Sequence, residues 1–548
     1  MKDFATLLED LLYAPQRNSK LRHLGRWLET AAAEDRGWGV AALAGELEFR
    51  HAKAGLVRRL AASASDEVLF GLSYDFVGDL AETTALIWPQ QAEAANRIHS
   101  NSPTSLAKII TALQEANAEN AETLLRGWLD QLDVSARWGL LKLVTGGMRI
   151  GVSGRMLRLA IARHYDRTTE EIEEIWPLLE PPYEALFDWL DGHAEKPSAE
   201  GLAVFRPLML AHPLDDAAME NLDARHWMAE WKWDGARVQL AAGRDGVRLF
   251  SRSGDDISAA FPEVVTWPGW QQHNWCGNLD GELLAGTPDR LEPFQHLQQR
   301  LNRRRAAAAL IRKRPVFLRL YDLLLCDGED LREQPLEQRR QQLQRCLEQL
   351  DCPFMEMSEE IPFSNTEELA ALRARCRDGG LIEGLMLKAR GSHYRQGRIK
   401  GLWFKWKRDP LRADVVLLYA QRGHGKRSSF YSDYTFGAWM EDAAGRRLVP
   451  VGKAYSGFTD DELKKLDRFV RENTVNRFGP VRELAPLMVV EVAFDSLASS
   501  SRHKSGIAMR FPRIARLRWD KPASEADTLE TLKLFLPDTR EDETKDDS

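Results

Sequence analysis

Lys232 occurs in a sequence pattern that is typical of a reactive amine. Trp231 and Trp233 flank it, and Asp234 and Gly235 follow. An exposed lysine is a protonated point charge and a poor nucleophile near neutral pH, whereas burial against apolar groups or beside other cations lowers the pKa of an amine and frees its lone pair. The alternative is a salt-bridged surface lysine beside a turn, and the local pattern alone does not decide between the two.

Six segments that follow Lys232 carry side chains that could serve phosphoryl transfer. They contain arginines, lysines, carboxylates and an aromatic ring, and they occupy residues 251–254, 280–282, 320–324, 383–388, 403–407 and 510–521. The segment 280–282 would point carboxylates from a strand end, while Lys405 and Lys407 would share one face of a strand because side chains alternate.

Each segment also has an alternative that needs no chemistry. Residues 280–282 could form a hairpin turn, Tyr321 could belong to a core, and Glu383 could end a strand in solvent. Lys405 and Lys407 could form the wet face of an amphipathic strand, and the C-terminal arginine run could be a charged helix or loop. All of these alternatives would have to hold at once in this order, so the combination favours phosphoryl-transfer chemistry.

The elements that would position these side chains follow from hydrophobic periodicity. Residues 1 to about 195 are predicted to be helical, because apolar residues recur at three- and four-residue spacing, as at positions 21, 24, 27 and 28. The polar segment 193–198 is typical of a linker.

From about residue 225 the pattern changes to short β-type runs and charged helical segments. The predicted strands include residues 237–240, 246–250 and 315–320, and the predicted helices span 298–313 and 335–350. This is an α+β arrangement.

After residues 408–410 the chain carries short strands with Gly-rich turns, at 414–419, 434–439 and 487–494, which predict a small β-barrel. The predicted fold class is therefore multidomain, with an all-α N-terminal domain, an α+β domain and a C-terminal β-barrel. The expected bounds are 1–200, 201–408 and 409–537, followed by an acidic, disordered tail at 538–548.

The composition bounds the class of protein. With 548 residues the chain is too long for one hydrophobic core, and its 44% hydrophobic and 29% charged residues are typical of a globular protein. Because the net charge is −7, nucleic acid would have to bind through local basic patches. The five cysteines contain no Cys-x-x-Cys pair, which argues against a structural zinc site and for a reducing compartment. We find no signal sequence and no apolar run long enough to span a bilayer, so we expect a cytoplasmic protein.

Taken together, the motifs resemble those of the covalent nucleotidyltransferases: DNA ligases, RNA ligases and mRNA capping enzymes. Residues 230–237 resemble the first motif, with Lys-x-Asp-Gly and a following arginine, and the five segments at 251–254, 280–282, 383–388, 403–407 and 510–521 resemble later motifs. The Arg-Phe-Pro-Arg form of the last segment is similar to that of ATP-dependent DNA ligases, where an OB-fold carries it. Residues 143–153 resemble the signature of the helical DNA-binding domain in larger enzymes of that family, of bacterial or archaeal three-domain type.

The resemblance implies a role for each matching residue. Lys232 would attack the α-phosphate of ATP and form a lysyl-AMP adduct. Glu383 would bind a divalent metal with support from Asp234, and Glu230 would read the adenine amino group. Tyr321 would stack on adenine, where the family commonly has phenylalanine, and a phenol keeps the aromatic face. The further contacts implied are Arg237, Arg252 and Glu282 on ribose and phosphate, Lys405 and Lys407 on the α-phosphate, and Arg510, Arg513 and Lys521 on pyrophosphate.

Two segments are candidates for DNA contact. Glycines at a helix end let a backbone approach phosphate closely, and this favours Gly146, Gly147, Arg149 and Gly151. The alternative is a helix C-cap followed by a new helix. A basic loop at 422–427 would contact phosphate through Arg422 and Lys426, with an ordinary surface hairpin as its alternative.

The expected cofactors are ATP and Mg²⁺, with Mn²⁺ as the open alternative because both metals take oxygen ligands. The expected partner is nicked duplex DNA, encircled by a monomer, with no membrane contact. An RNA ligase or a capping enzyme is the first rival, and the helical region and the form of the last motif argue against it. An NAD⁺-dependent ligase would carry a cysteine-rich zinc module after the barrel, and this chain has no cysteine beyond Cys376. A non-catalytic protein with a degenerate ligase core would have lost the lysine or the carboxylates.

Overall fold

The computed structural model describes residues 1–89, 105–219, 222–301, 303, 305–376, 381–422, 430–442, 445–479, 481–500 and 503–536. The predicted acidic tail at 538–548 lies outside the described residues. Within the described ranges, no helix is both long and apolar enough to cross a bilayer.

Before the segment 193–198, the described chain consists of helices and connecting loops. These helices are α1 Lys2–Tyr13, α2 Arg17–Thr30, α3 Ala33–Ala44, α4 Ala54–Ala64, α5 Glu67–Val77, α6 Leu80–Ile87, α7 Leu106–Glu115, α8 Ala118–Gln131, α9 Val134–Thr145, α10 Gly154–His164, α11 Thr169–Ile175 and α12 Glu184–Leu190. The periodic apolar residues of α2, such as Leu21 and Leu24, are buried in a core that these helices share. The segment 193–198 contains neither helix nor strand. We call residues 1–192 the helical region.

The middle of the chain is built from two main sheets with helices beside them. Its strands are β1 Met209–Leu210, β2 His212–Pro213, β3 Trp227–Trp233, β4 Ala236–Gly243, β5 Gly246–Ser251, β6 Gly277–Thr287, β7 Arg290–Glu292, β8 Val316–Cys326, β9 Glu329–Asp330, β10 Met355–Met357, β11 Ile382–Ala389, β12 Gly397–Arg398 and β13 Trp403–Lys407. Its helices are α13 Asp216–Met219, α14 Pro262–Val265, α15 Gly269–Gln272, α16 Phe294–Leu301, α17 Ala308–Lys313, α18 Leu336–Leu350 and α19 Thr366–Arg375. One sheet has the order β10-β8-β6-β4-β5, and the other has the order β2-β13-β11-β3.

Strand register in the second sheet brings the charged residues of three segments together. Lys232 of β3 lies opposite Gly384 of β11, and Gly384 lies opposite Lys407 of β13. The chain then crosses from β3 into β4 of the first sheet through Asp234 and Gly235. The Lys-x-Asp-Gly segment is therefore the link between the two sheets.

Two expectations for this region are wrong. Residues 280–282 do not end a strand and do not form a hairpin turn, since they lie inside β6. Gly281 is required there because a Cβ atom would lie only 2.8 Å from the backbone carbonyl oxygen of Arg319 on β8. The segment 298–313 is not one helix, because α16 ends at Leu301 and the backbone N–H of Ala306 donates to the carbonyl of Ala259 instead.

The C-terminal region folds around a third main sheet, whose strand pairs are antiparallel. Its strands are β14 Leu411–Arg422, β15 Tyr431–Asp442, β16 Gly445–Ala454, β17 Thr474–Phe478, β18 Val481–Leu484, β19 Val489–Phe494, β20 Ser496–Ser499, β21 Ile507–Arg510 and β22 Arg513–Arg518, and its helices are α20 Asp460–Glu472 and α21 Leu529–Lys533. The predicted strands lie within β14 and β15 and largely within β19. Helix α20 was not predicted, although Thr459 and Glu462 form a capping box that the sequence displays.

Removing the Arg339 guanidinium is expected to destabilise the middle region strongly. Arg339 of α18 and Asp322 of β8 form a fully buried ion pair with N–O distances of 2.8 and 2.9 Å. Arg339→Met would leave a buried, unpaired carboxylate, which costs about 3–5 kcal/mol. Urea unfolding followed by tryptophan fluorescence measures this loss. The matched control is Arg345→Met on the exposed face of the same helix, and equal losses in the two variants would contradict the prediction.

Candidate active site

A cavity of about 510 Å³ is lined by residues from both sheets of the middle region. It collects most of the side chains that the sequence predicted to bind nucleotide. Those that line it are Glu230, Lys232, Arg237, Arg252, Glu282, Tyr321, Glu383, Lys405 and Lys407. Asp234 and Arg510 line a small adjoining cavity that shares Glu383 and Lys407 with the first. We call the larger space the central cavity.

The Lys232 amine is held by a carboxylate from the neighbouring strand. Its Nζ lies 2.5 Å from Oε2 of Glu383, and the Lys407 amine approaches the same oxygen at 3.3 Å. Burial opposes ionisation of Glu383, but Lys232 and Lys407 outweigh it and hold the pKa of this carboxyl below its ordinary value. In this structure, the Glu383 carboxylate is thus shared by the Lys232 and Lys407 amines.

A β-bulge explains why Glu383 and Lys388 reach the same cavity. An odd separation along a regular strand would send these two side chains to opposite faces of the sheet. The register between β11 and β3 shifts between Ile382 and Gly384, which re-aims Glu383. Gly384 has φ of +150°, and a Cβ atom there would lie 2.2 Å from the carbonyl oxygen of Trp406. Only glycine therefore fits the bulge.

Glu230 lies at the other end of the cavity, where two cations hold its carboxylate. It is 1% exposed, and its two oxygens lie 2.5 Å from Arg340 and from Lys388. The Lys388 amine also lies 4.1 Å from the ring centroid of Tyr321 and 4.6 Å from that of Trp403. Burial lowers the pKa of Lys388, and Glu230 offsets part of this effect. The sequence analysis included Lys388 in the segment 383–388 without giving it a role, and it did not single out Arg340.

Arg237 and Glu282 lie on neighbouring strands of the first sheet. The Arg237 guanidinium donates to Asp280 at 2.7 and 3.1 Å and to the carbonyl oxygen of Met209 at 2.7 Å. Burial raises the pKa of Glu282 to about 7, and Lys232 and Arg237 offset part of the effect. Asp280, which the sequence analysis quoted without a role, thus anchors Arg237 in place.

Cations converge on the side of the cavity formed by β13. Burial lowers the pKa of Lys405, and the positive charges of Arg398, Lys407, Lys232 and Arg252 lower it further. Such mutual repulsion favours the binding of an anion with several negative charges. The arrangement of these side chains suits a polyphosphate.

Arg510 of the C-terminal region reaches the edge of this site. Its Nη1 lies 2.5 Å from Oδ2 of Asp234, and its guanidinium carbon lies 4.6 Å from the ring centroid of Phe294. Burial raises the pKa of Asp234, and Arg510 offsets part of this effect. The other oxygen of Asp234 is buried without a hydrogen-bond partner among the described residues. The C-terminal region is therefore closed over the cavity.

Arg513 and Lys521 do not line either cavity. Arg513 lies 3.3 Å from the carboxylate of Asp495, and the Lys521 amine lies 2.8 Å from that of Asp414. Asp495 also lies 3.4 Å from the Lys407 amine. In this closed arrangement, carboxylates of the C-terminal region pair with Arg513 and Lys521, which are two of the three cations that the sequence analysis expected at pyrophosphate.

The glycine-rich segment after α9 forms a helix end and a loop, as its alternative interpretation described. Gly146 caps α9 with φ of 68°, and Ser153 caps α10. Arg149 and Gly151 also have positive φ. A Cβ atom at Gly146 or at Gly147 would meet nothing within 4 Å, so there is open space beside this turn. The Gly146 N–H itself donates to the carbonyls of Lys142 and Leu143.

In the second candidate segment for DNA contact, Arg422 is the last residue of β14, and its guanidinium carbon lies 5.8 Å from the ring centroid of Tyr431. Lys426 lies outside the described residues.

Replacing Glu282 with glutamine is expected to change how stability depends on pH. The pKa of about 7 in the folded protein exceeds the ordinary value of 4.5, so between these values the folded state binds more protons than the unfolded chain. The wild-type protein should therefore lose stability relative to Glu282→Gln as the pH rises from about 5 to 8. Thermal unfolding of both proteins in EDTA measures this. A pH-independent difference between the two midpoints would contradict the raised pKa.

Comparisons with known proteins identify the family. Residues 208–407 match the family model described as "ATP dependent DNA ligase domain", and residues 427–521 match "ATP dependent DNA ligase C terminal region". The resemblance found in the motifs is thereby confirmed for the nucleotidyltransferase domain and the C-terminal OB-like domain. Both family models describe ATP-dependent DNA ligases.

Curated relatives agree with this result. The chain is 37% identical over 414 residues to "Probable DNA ligase" of Koribacter versatilis, covering 71% of this chain and 70% of that protein. It is 32% identical over 432 residues to "DNA ligase 1" of Korarchaeum cryptofilum, covering 78% and 77%. A solved structure titled "Pmar-Lig_Pre." shares the fold with a TM-score of 0.58 at 16% identity, covering 94% of this chain and 99% of that one. The chain belongs to the family of ATP-dependent DNA ligases.

Proposed function

We propose that this ligase seals nicks in duplex DNA through a lysyl-AMP intermediate on Lys232. The observation that carries the proposal is the Lys232 amine, 2.5 Å from Glu383 in a cavity of about 510 Å³ lined with further cations. ATP is the nucleotide that the family uses. A nick with a 3′-hydroxyl and a 5′-phosphate is the proposed DNA substrate.

The first step joins AMP to the protein. The Lys232 ammonium must lose a proton before it attacks, and the Glu383 carboxylate is the base within hydrogen-bond reach. The amine nitrogen then forms a bond to the α-phosphorus of ATP, and the bond from that phosphorus to the bridging oxygen breaks, so pyrophosphate leaves. Lys405 and Lys407 lie where they would hold the α-phosphate. Tyr321 and Glu230 would hold adenine, and Arg237, Arg252 and Glu282 would hold the ribose and phosphate.

Glu383 and Asp234 are the residues that would hold the divalent metal. Each offers a half-buried carboxylate, and one oxygen of Asp234 is buried without a hydrogen-bond partner among the described residues. In the described ranges no group of three or more His, Cys, Asp or Glu is placed to hold a metal alone. The two carboxylates of Glu383 and Asp234 fit Mg²⁺, which protein sites commonly bind through one or two carboxylates and substrate phosphates. The metal would neutralise charge that develops on the phosphates.

The closed position of the C-terminal region would serve this first step only. Arg510 lies beside Asp234, with Arg513 and Lys521 farther from the cavity, and all three would turn to pyrophosphate when ATP is bound. Residues 408–410 join β13 to β14 and would act as the hinge. In the second step, the DNA 5′-phosphate attacks the phosphorus of lysyl-AMP and displaces Lys232. In the third step, the 3′-hydroxyl attacks the adenylated 5′-phosphate and AMP leaves.

We also propose the domain roles. The chain would divide into an all-α DNA-binding domain at 1–200, an adenylation domain at 201–408 and an OB-fold domain at 409–537, and it would act as a monomer. Open space beside Gly146 and Gly147 supports DNA contact there, together with Arg149 and Gly151. Arg422 and Lys426 would add phosphate contacts from the third domain.

Lys232→Ala is expected to abolish adenylylation and sealing while DNA binding remains, because it removes the nucleophile and leaves the surface cations. Intact-mass analysis after incubation with ATP and Mg²⁺, with NAD⁺ in a parallel sample, should show one added AMP with ATP only. Lys313→Ala, at the exposed end of α17, is the control that should keep the added mass. Sealing by Lys232→Ala from ATP would refute the assignment. Absence of AMP on wild-type protein freed of bound nucleotide would favour a degenerate binding protein.

Arg510→Ala is expected to separate the first step from the later ones. Its guanidinium contacts Asp234 in the closed form and would act on the leaving pyrophosphate. Adenylylation should slow by about 10- to 100-fold, corresponding to one charged contact of about 1.4–3 kcal/mol, whereas sealing of a pre-adenylated nick should stay near the wild-type rate. Arg516→Ala on the exposed face of β22 is the control. Equal loss in both assays would contradict this division.

A further inference from the structure

A second cavity, of about 250 Å³, lies between the helical region and the first sheet. On one side it is lined by Arg155 and Arg158 of α10 and Glu173 of α11, and on the other by the turn after β5 and by β12. Leu210, Arg252 and Ser253 line both this cavity and the central cavity, so the two adjoin. We call the second cavity the arginine pocket.

The arginine pocket carries an excess of positive charge. Three guanidinium groups, those of Arg155, Arg158 and Arg252, line it together with one carboxylate, that of Glu173. Burial raises the pKa of Glu173, and the two arginines of α10 offset part of the effect. Such an excess is notable in a chain whose net charge is −7, and it indicates a site for an anion.

The guanidinium groups of α10 are only loosely engaged within the protein. The Nε atoms of Arg155 and Arg158 lie 3.9 and 3.5 Å from Glu173, which is too far for strong hydrogen bonds. The Arg155 side chain is 58% exposed and crosses to the other side, where a Cβ atom at Gly397 would lie 3.1 Å from its Nη2. Donors that face both regions therefore remain available to a ligand.

The remaining walls are apolar and suit a sugar or a base. Trp176 and Pro177 come from the helical region, and Phe205 and Pro207 come from the segment before β1. A ligand that satisfies both the arginines and these walls carries an anionic group next to a sugar or a base, as a nucleic-acid strand does.

We propose that the arginine pocket binds a backbone phosphate of the DNA strand beside the nick, with Arg155 as its principal contact. The inference rests on the proposed function and extends it to a site between two regions. Because Arg252 lines both cavities, a strand held here would be aligned with the phosphate that must react at Lys232. The DNA contact would also fix the helical region against the adenylation domain.

The test uses Arg155→Gln, since Arg158 then still pairs with Glu173 and the fold is kept. The probe is a nicked duplex without a 3′-hydroxyl, and binding is measured on unmodified protein, so that neither AMP transfer nor sealing changes the DNA. We expect affinity to fall several-fold and the slope of log K against log salt to decrease by about 1, as for the loss of one phosphate contact. Adenylylation from ATP should keep its rate and its KM. Arg155→Lys should restore the salt slope.

The matched control is Arg163→Gln, at an exposed position on the same helix and outside the pocket. Equal effects of Arg155→Gln and Arg163→Gln on DNA affinity would overturn the proposal, as would no effect of Arg155→Gln. A raised KM for ATP without a change in DNA binding would also overturn it, and would assign the pocket to the triphosphate. Absence of AMP on the wild-type protein would refute the proposed function and not this inference, since DNA binding is read from unmodified protein.

Discussion

The ion pair between Lys232 and Glu383 is the contact on which the catalytic site depends. It joins β3 to β11, and the same carboxylate also faces Lys407 of β13. The Glu383 carboxylate thus aligns side chains from three strands and reduces the repulsion between the Lys232 and Lys407 amines. In the proposed first step, an anion that replaces part of this balance would approach the same point, next to the Lys232 nitrogen.

The second constraint is the crossing between the two sheets at Asp234 and Gly235. A Cβ atom at Gly235 would lie 2.6 Å from the carbonyl oxygen of Leu283, so the crossing packs directly on β6. Asp234 is fixed by this crossing and pairs with Arg510, which is 276 positions away in sequence. In the closed structure, the C-terminal region therefore contacts a residue only two positions from Lys232, the proposed nucleophile.

Strands and motif order could be predicted from sequence because they depend on local patterns, as the alternation at Lys405 and Lys407 illustrates. The counter-ions of Glu230 could not be predicted from sequence. Arg340 and Lys388 meet Glu230 only after three distant segments have packed together, and no local signal marks such a contact. The bulge at Glu383 and the strand position of Gly281 were missed for the same reason. Gly384 in the bulge and Gly281 in β6 are each required by a neighbouring strand and not by their own sequence context.

In the closed structure, carboxylates neutralise cations that are proposed to bind phosphate. Asp495 lies between Lys407 and Arg513, and Asp414 holds Lys521. These carboxylates occupy positions next to the cations where phosphate oxygens would bind in the proposed first step. Binding of ATP would then exchange one set of anions for another, at little net electrostatic gain for these surface pairs. Release of pyrophosphate would return Arg513 to Asp495 and Lys521 to Asp414. Both pairs lie within the C-terminal region, so they would stay intact when that region leaves the site.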